Sequence, residues 1–512
     1  MDLSAAMPRA FRWGLVVAGA ALAVVLGGCA DTEGRGGVHF ARLEWLLPNA
    51  DVRNTRHVGG PIDSSSVRRL RAAWAVPIGE IVANPVVTRG VVYVQDMNSN
   101  VFAIERRSGR ALWSRSFEQP SVGPNGLAVA GRRIYGATAT EAFAEDVRTG
   151  DLLWTRRLVA NAHEGIDMAP GVWRDAVYVS TVPVNRTSTY DPGGRGALWA
   201  LDGATGRPRW RWMTVPRDLW GRPDVNAGGG LWHPPAFDRD GRLYASVGNP
   251  GPWAGTPRWP WGSSRPGPNR WTNSLVKLDA RTGDFAWGRQ VVPHDIYDWD
   301  LECPPILTRA DGRPLVVVAG KMGFVYAFER TRGRLVWKRS VGAHNGHDDD
   351  GRRTMSGGDG GLRQGERVLP GQLGGVETPM AVDGDTVYVP VENLASTHSG
   401  IEEGRPAPLL GGAGELVALD LATGRVKWDR RLPESAWGGV VVVNDLVFTP
   451  TFEGTLWALR TADGSVAWRT RLPAGVNAPL AVAGDTLVAA AGFPLEPGQR
   501  GAVVAYRLAA DE

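Results

Sequence analysis

The chain has 512 residues, 43% of them hydrophobic and 21% charged, with a net charge of +4. That is enough for a large apolar core, and the small charge, without a long basic run or a nucleic-acid motif, argues against nucleic acid as a partner. Abundant Gly (67), Pro (36) and Trp (22) point to a turn-rich all-β protein with a repeated aromatic.

In chain order, the first element is a targeting segment. Arg9 and Arg12 precede an apolar run, Gly14 to Leu26, too short to span a bilayer as a stable helix. The run ends in LGGC at Cys29. This resembles the lipobox of bacterial lipoproteins. The resemblance implies removal of residues 1–28, acylation of Cys29, a tether over 29–44, and a place at the outer face of a bacterial membrane. An ordinary secretory signal with a chance cysteine is the alternative. Cys303 is the other cysteine, so the mature chain has no internal disulfide, and no C-x-x-C-H is present for a c-type haem.

A repeat follows. It appears as VFAIERRSGRALW, AFAEDVRTGDLLW, LWALDGATGRPRW, LVKLDARTGDFAW, VYAFERTRGRLVW, LVALDLATGRVKW and LWALRTADGSVAW. Each copy has apolar alternation, a Gly-containing turn, and a tryptophan: Trp113, Trp154, Trp210, Trp287, Trp337, Trp428 or Trp468. Trp74, in LRAAWAVP, is an eighth copy without its upstream part. Strand pairs such as NPVVTRGVVYVQD precede each stretch, so a unit is about four strands, the pattern of a propeller blade. After Trp468 one more unit, ending in GAVVAYRL, lacks its last strand, and AAWAVP can supply it. The expectation is one domain over 45–512: an eight-bladed β-propeller of four-stranded antiparallel blades, the last closed by the N-terminal strand, with tryptophans packed between blades. Insertions fall at 155–210, 211–287 and 338–428, where a binding face is expected.

The repeats resemble the A-x-D-x-x-T-G-x-x-x-W motif of the quinoprotein dehydrogenases and their pyrroloquinoline-quinone-like relatives, over residues 45 to 506. They also resemble, more distantly, the barrel-assembly lipoprotein of outer membranes, a scaffold. The inserted loops GGGLWHPPAFD, SVGNPGPW, RPGPNRWTNSLVKLD and VVPHDIYDWD stand in the order found in the alcohol- and methanol-oxidising quinoproteins. That resemblance implies roles for single residues. Trp232 would be the floor under the quinone, Asn249 a calcium ligand, and Asp298 both a calcium ligand and the catalytic base. Lys321, in AGKMGF, would lie beside the quinone oxygens, and Trp437, in WGG, would contact the cofactor. The residue types suit such chemistry. A planar quinone stacks on a flat apolar surface, and a hard cation takes oxygen ligands. A carboxylate held ionised takes an alcohol proton, and a cation stabilises developing negative charge.

Departures accompany the match. The family's adjacent cysteine pair is missing, Asn125 stands where an arginine is expected, and the glutamate metal ligand falls near Val184, with Asp191 as a substitute carboxylate. The quinone carries three carboxylates, so losing the arginine predicts looser binding. AHNGHDDDG, His344 to Gly351, reads as a metal cluster or as a solvated loop, and Glu377, in GGVETP, lies in a segment that approaches the cofactor from the opposite side in the family. Two functions follow. One is a lipid-anchored quinoprotein oxidising an alcohol or sugar with a separate electron acceptor. The other is a non-catalytic propeller that scaffolds an envelope assembly or binds a ligand.

Overall fold

The computed structural model describes residues 43–121, 123–186, 189–358, 360–399 and 405–509, and every structural statement below concerns these residues. The signal segment, the tether up to residue 42 and Cys29 lie outside them.

Within a unit the strands run as their apolar pattern dictates. The first sheet is Val86–Val87, Val91–Gln95, Val101–Glu105 and Ala111–Arg115, each antiparallel to the next. Seven more sheets follow at 128–157, 171–213, 236–290, 306–340, 381–432, 441–471 and 481–508; with the first, six have four strands and two have five. The second strand of a unit is mostly apolar and mostly buried, and Ala176–Pro183 and Thr386–Glu392 are buried along their whole length. A strand covered on both faces needs that pattern. The outermost strands alternate, as in Leu152–Arg157, because one face meets water.

The eighth sheet takes its outer strand from the other end of the chain. Leu70–Val76 pairs antiparallel with Ala502–Leu508, Trp74 opposite Ala505. Its core is shared with both neighbours: Val92 and Ile104 of the first sheet and Val441 and Ala458 of the seventh pack in one cluster with Leu487 and Val504.

The repeat tryptophans join one unit to the next. Trp74 lies under Gly109, Trp113 under Gly150, Trp154 under Gly206, Trp210 under Gly283, Trp287 under Gly333, Trp337 under Gly424 and Trp428 under Gly464. Those glycines have positive φ, and a Cβ on any of them would come within 2.9 Å of an indole carbon. The turn therefore needs glycine twice over, for its backbone and for the ring beneath it. Most of the indoles also donate to a carbonyl of that next turn, Trp74 to Arg106 at 2.9 Å and Trp428 to Thr461 at 2.8 Å among them.

The segment 45–58 runs along the inner strands. Trp45 exchanges backbone hydrogen bonds with Val87, and the carbonyls of Leu46, Val52, Arg53, Thr55 and Arg56 accept from Val129, Phe237, Leu307, Val382 and Val442. Six sheets thus bond to one short stretch. The fully buried Arg56 side chain ties it down, donating to Val440, Pro48 and Leu480 carbonyls.

Candidate functional site

In an antiparallel sheet the start of the first strand and the end of the second lie at the same edge. Trp232, Asp298, Glu377 and Trp437 each precede a unit's first strand, and Asn249 and Lys321 each follow a second strand. The repeat therefore places residues more than two hundred positions apart at one end of their sheets.

There they meet. Asn249 donates through Nδ2 to Asp298 Oδ1 at 2.6 Å, and its own Oδ1 accepts from the Tyr190 hydroxyl at 2.7 Å. Lys321 Nζ lies 3.3 Å from Asp298 and 2.9 Å from Asp300. The Trp232 indole N–H donates to Asp300 Oδ1 at 3.3 Å, and the Asn249 backbone N–H donates to the same oxygen at 2.7 Å. Asp298, Asp300, Asn249 and Lys321 are all buried. Burial pushes the Asp298 carboxyl up, to about 8, against the opposing pull of Lys321. Burial works against the charge of Lys321, but the surrounding carboxylates outweigh it and hold the amine as ammonium.

The loop VVPHDIYDWD is shaped by its own residues. Asp295 accepts from the Tyr297 and Trp299 backbone N–H groups at 3.0 and 2.9 Å, closing a tight turn. Asp298 has φ of 64°, the left-handed region that aspartate tolerates better than most residues. Arg265, fully buried, donates to the carbonyls of Pro252, Trp253 and Asp295 and so fastens this loop to the one that follows Asn249. AHNGHDDDG supports it from outside. Tyr297 hydrogen-bonds Asp350, His347 Nδ1 lies 2.8 Å from the same carboxylate, and His344 pairs with Asp348 at 2.8 Å. No group of three His, Cys, Asp or Glu side chains arranged for a metal occurs among the described residues.

Beside the corner lies a cavity of about 350 Å³, bordered by Trp232, His233, Glu302, Glu377 and Trp437. A neighbouring one of about 420 Å³ is bordered by Asp167, Val182, Val184 and again Trp232. The first is of a size that holds a planar ligand of drug-like dimensions. Trp232 and Trp437 thus border one cavity. Burial pushes Glu302 and Glu377 well above the usual carboxylate range against the pull of Lys321, with Glu377 adding to the push on Glu302 and Glu392 to that on Glu377.

The first units differ from expectation in one respect. Asp191 points away from the corner and pairs with Arg186 and His163. Tyr190, next to it, reaches Asn249 instead. Asn125 is buried with neither amide atom hydrogen-bonded. Sequence reasoning missed Tyr190, Asp300 and Glu302. The signal for Asp300 was in the quoted loop, where a second carboxylate stands two positions after Asp298.

Taken as a donor set, Asn249, Asp298, Asp300 and Tyr190 offer the neutral and charged oxygens a hard cation takes. Two indoles with Lys321 nearby suit a flat, electron-accepting ring. The residues present fit both groups.

Comparisons with known proteins agree with this geometry. The family described as the β-propeller domain of glucose, ethanol and alcohol dehydrogenases matches residues 159–343, which hold Trp232, Asn249, Asp298 and Lys321. The family described as outer membrane protein assembly factor BamB matches residues 69–189 and 412–509. A quinohemoprotein alcohol dehydrogenase of Comamonas testosteroni is 29% identical over 404 residues, 69% of this chain and 55% of that protein. The putative dehydrogenase XoxF of Paracoccus denitrificans is 27% identical over 528 residues, 86% of this chain and 85% of that protein. The solved structure of the Comamonas testosteroni quinohemoprotein alcohol dehydrogenase superposes with a TM-score of 0.78 at 22% identity, covering 92% of this chain and 81% of that one. The chain spans about half the length of the quinohemoprotein relatives, 55% and 45% of two of them. Repeat, fold and relatives agree in likening the chain to the pyrroloquinoline-quinone-type repeat β-propellers, the quinoprotein alcohol dehydrogenases among them.

Proposed function

We propose that the protein is a quinoprotein-type oxidoreductase of small alcohols or sugars, built as one closed ring of eight blades and held by a lipid on Cys29 at the outer face of a bacterial membrane. The observation that carries the activity is the meeting of Asp298, Asn249 and Lys321 beside a cavity bordered by Trp232 and Trp437. The ring is supported by the pairing of 70–76 with 502–508 and by the core that the eighth sheet shares with the first and the seventh.

A bound pyrroloquinoline quinone would supply the hydride acceptor and a Ca²⁺ ion the polarising charge. This chain's residues do the rest. Trp232 gives the ring a flat surface to lie on. Asn249, fixed by Tyr190, and Asp298 would hold the cation. Asp298, facing Lys321, is placed to take the hydroxyl proton of an alcohol substrate. Lys321 opposes the upward push of burial on that carboxylate and stabilises negative charge on the neighbouring oxygens. Burial of the corner keeps water from competing for the proton.

A scaffold reading is favoured by the match of the terminal repeats to the BamB family, but it gives no account of the buried Asp298, Asp300 and Lys321. The purified protein loaded with quinone and Ca²⁺, given a dye acceptor and a panel of alcohols, tests the activity. Turnover that requires both additions is expected; loaded protein that reduces no dye with any alcohol leaves the scaffold. Cys29→Ser is expected to release the protein from membranes, and unchanged membrane fractionation would remove the anchor.

A further inference from the structure

At the edge of the sheets opposite the Asn249–Asp298 corner, a groove of about 820 Å³ lies between the first unit and the eighth. The turns from first to second strand and from third to fourth strand share that edge. Arg89 lies in the first kind of turn, Arg106 and Arg107 in the second, and Arg507 near the end of Ala502–Leu508; all four border the groove. Glu105 and Asp485 border it as well, but both are engaged. Asp485 pairs with Arg106 at 3.0 Å, and Glu105 with Arg110 and Ser108. Arg507 directs its donors to the carbonyls of Arg106 and Arg107. Arg89 and Arg107 are exposed, and their guanidiniums have no hydrogen bond or ion pair among the described residues.

The turn itself does not require this charge. At the positions of Arg106 and Arg107 the other copies have Val147–Arg148, Gly203–Ala204, Ala280–Arg281, Arg330–Thr331, Leu421–Ala422 and Thr461–Ala462, with at most one cation each. The turns close alike, the Gly109 N–H donating to the Glu105 carbonyl as the Gly206 N–H does to Asp202. Arg106 has an internal task, since it also donates to the Leu43 carbonyl at 3.1 Å. Arg89 and Arg107 have none.

The chain enters the fold at this groove. Leu43, where the described residues begin, borders it and is 50% exposed. Fewer than twenty residues separate Leu43 from Cys29, so an acyl chain on Cys29 would hold this edge within about 50 Å of a bilayer. An exposed leucine beside arginines without counter-ions suits the membrane interface, where phosphates and acyl chains meet.

We propose that this groove binds the phosphate of an anionic lipid headgroup through Arg89 and Arg107, so that the protein rests on the membrane by this edge and its Asn249–Asp298 corner faces the aqueous side. The inference rests on reading Cys29 as a lipid anchor. A guanidinium presents its donors as a planar fork that matches two phosphate oxygens.

The full-length protein carrying Cys29→Ser, which removes the acyl anchor from every arm, is titrated with vesicles of phosphatidylcholine, pure or with about one-third phosphatidylglycerol. It is compared with the same protein bearing Arg89→Gln/Arg107→Gln, and with a control bearing Arg332→Gln/Arg334→Gln, two exposed arginines in the matching turn of the fifth sheet. Residues 1–28 are alike in all three forms, so differences between them report the altered turns. On the phosphatidylglycerol vesicles the groove variant is expected to bind about thirtyfold more weakly than the parent, the effect of two arginines at a negatively charged membrane surface. The control is expected to lose less than about threefold, and pure phosphatidylcholine to bind all three equally. A groove variant that binds as tightly as the parent, or a control that loses as much as the groove variant, overturns the proposal; the first result leaves the groove to an acidic protein. Inorganic phosphate at the concentration of the headgroups is expected to leave vesicle binding in place. Displacement by it makes the groove a site for free phosphate and also overturns the proposal. If Cys29→Ser leaves membrane fractionation unchanged, the anchor falls instead, and the vesicle titration still decides the groove.

Discussion

Asn249 and Asp298 belong to different units, 49 positions apart, yet share a hydrogen bond of 2.6 Å. The Arg265 tether fastens the two loops to each other, and the Asp295 turn shapes the one that carries Asp298. Preorganisation of this kind is what a proton-abstracting group needs.

Asp298→Asn keeps the size and the contact with Asn249 but cannot accept a proton. Dye-linked activity is expected to fall by about two to four orders of magnitude, the usual contribution of a general base. Circular dichroism and thermal midpoint are expected to stay near those of the parent. Retained activity would move the base elsewhere.

Gly206 has φ of 67°, and a Cβ there would come within 2.6 Å of the Trp154 ring. Gly206→Ala is expected to destabilise by about 2 kcal/mol or more, combining left-handed backbone strain with overpacking. Gly90 also lies in a turn, but it has open space around it, so Gly90→Ala is expected to stay within about 0.5 kcal/mol. Urea unfolding of the two variants checks the contrast.

Glu145 sits where other repeats carry Ile104, Leu201, Leu278, Leu419 or Leu459. It is fully buried, and desolvation pushes its carboxyl to about 8 despite Arg115 Nε at 3.2 Å. The sign follows from a folded value raised above the unfolded one. Between the ordinary carboxylate value and about 8 the folded state holds a proton that the unfolded state releases, so stability is lost as pH rises through that window. Glu145→Leu is expected to remove this slope. Its stability relative to the parent should grow from pH 5 to pH 8 by about 1.4 kcal/mol for each unit of pH over which the groups differ, as an upper bound. Chemical unfolding at several pH values checks it, and parallel curves for the two proteins would contradict it.

Trp74 holds the junction between the ends of the chain. Trp74→Ala is expected to cost about 3–5 kcal/mol, as for other buried tryptophans. Amide exchange should quicken first in Ala502–Leu508, its strand partner. Exchange that quickens only near residue 74 would show the two ends to be independent.

Much of the fold was legible because the repeat couples strand periodicity to a fixed turn. The glycine and the tryptophan of each copy touch different units, so one motif encodes both the strand and the inter-sheet packing. Trp232, Asn249, Asp298, Lys321 and Trp437 were legible because short loop motifs carry them. Tyr190 and Glu302 were not, since their direction depends on the path of an inserted loop, which no periodicity describes. The belt at 45–58 was hidden for a related reason: its bonds are made by backbone atoms, and any sequence of suitable shape makes them. AHNGHDDDG could be read as a metal cluster or as a solvated loop because composition records only its charges, whereas its pairing with Tyr297 becomes visible only in the structure.

The central claim is that this pocket binds a quinone with the help of a cation at Asn249 and Asp298. Isothermal titration of pyrroloquinoline quinone into the metal-stripped protein, with and without excess Ca²⁺, tests it most directly. The account predicts saturable binding that requires Ca²⁺ and is lost in Asp298→Asn. No heat of binding with Ca²⁺ in excess, or binding indifferent to both Ca²⁺ and Asp298, would contradict it.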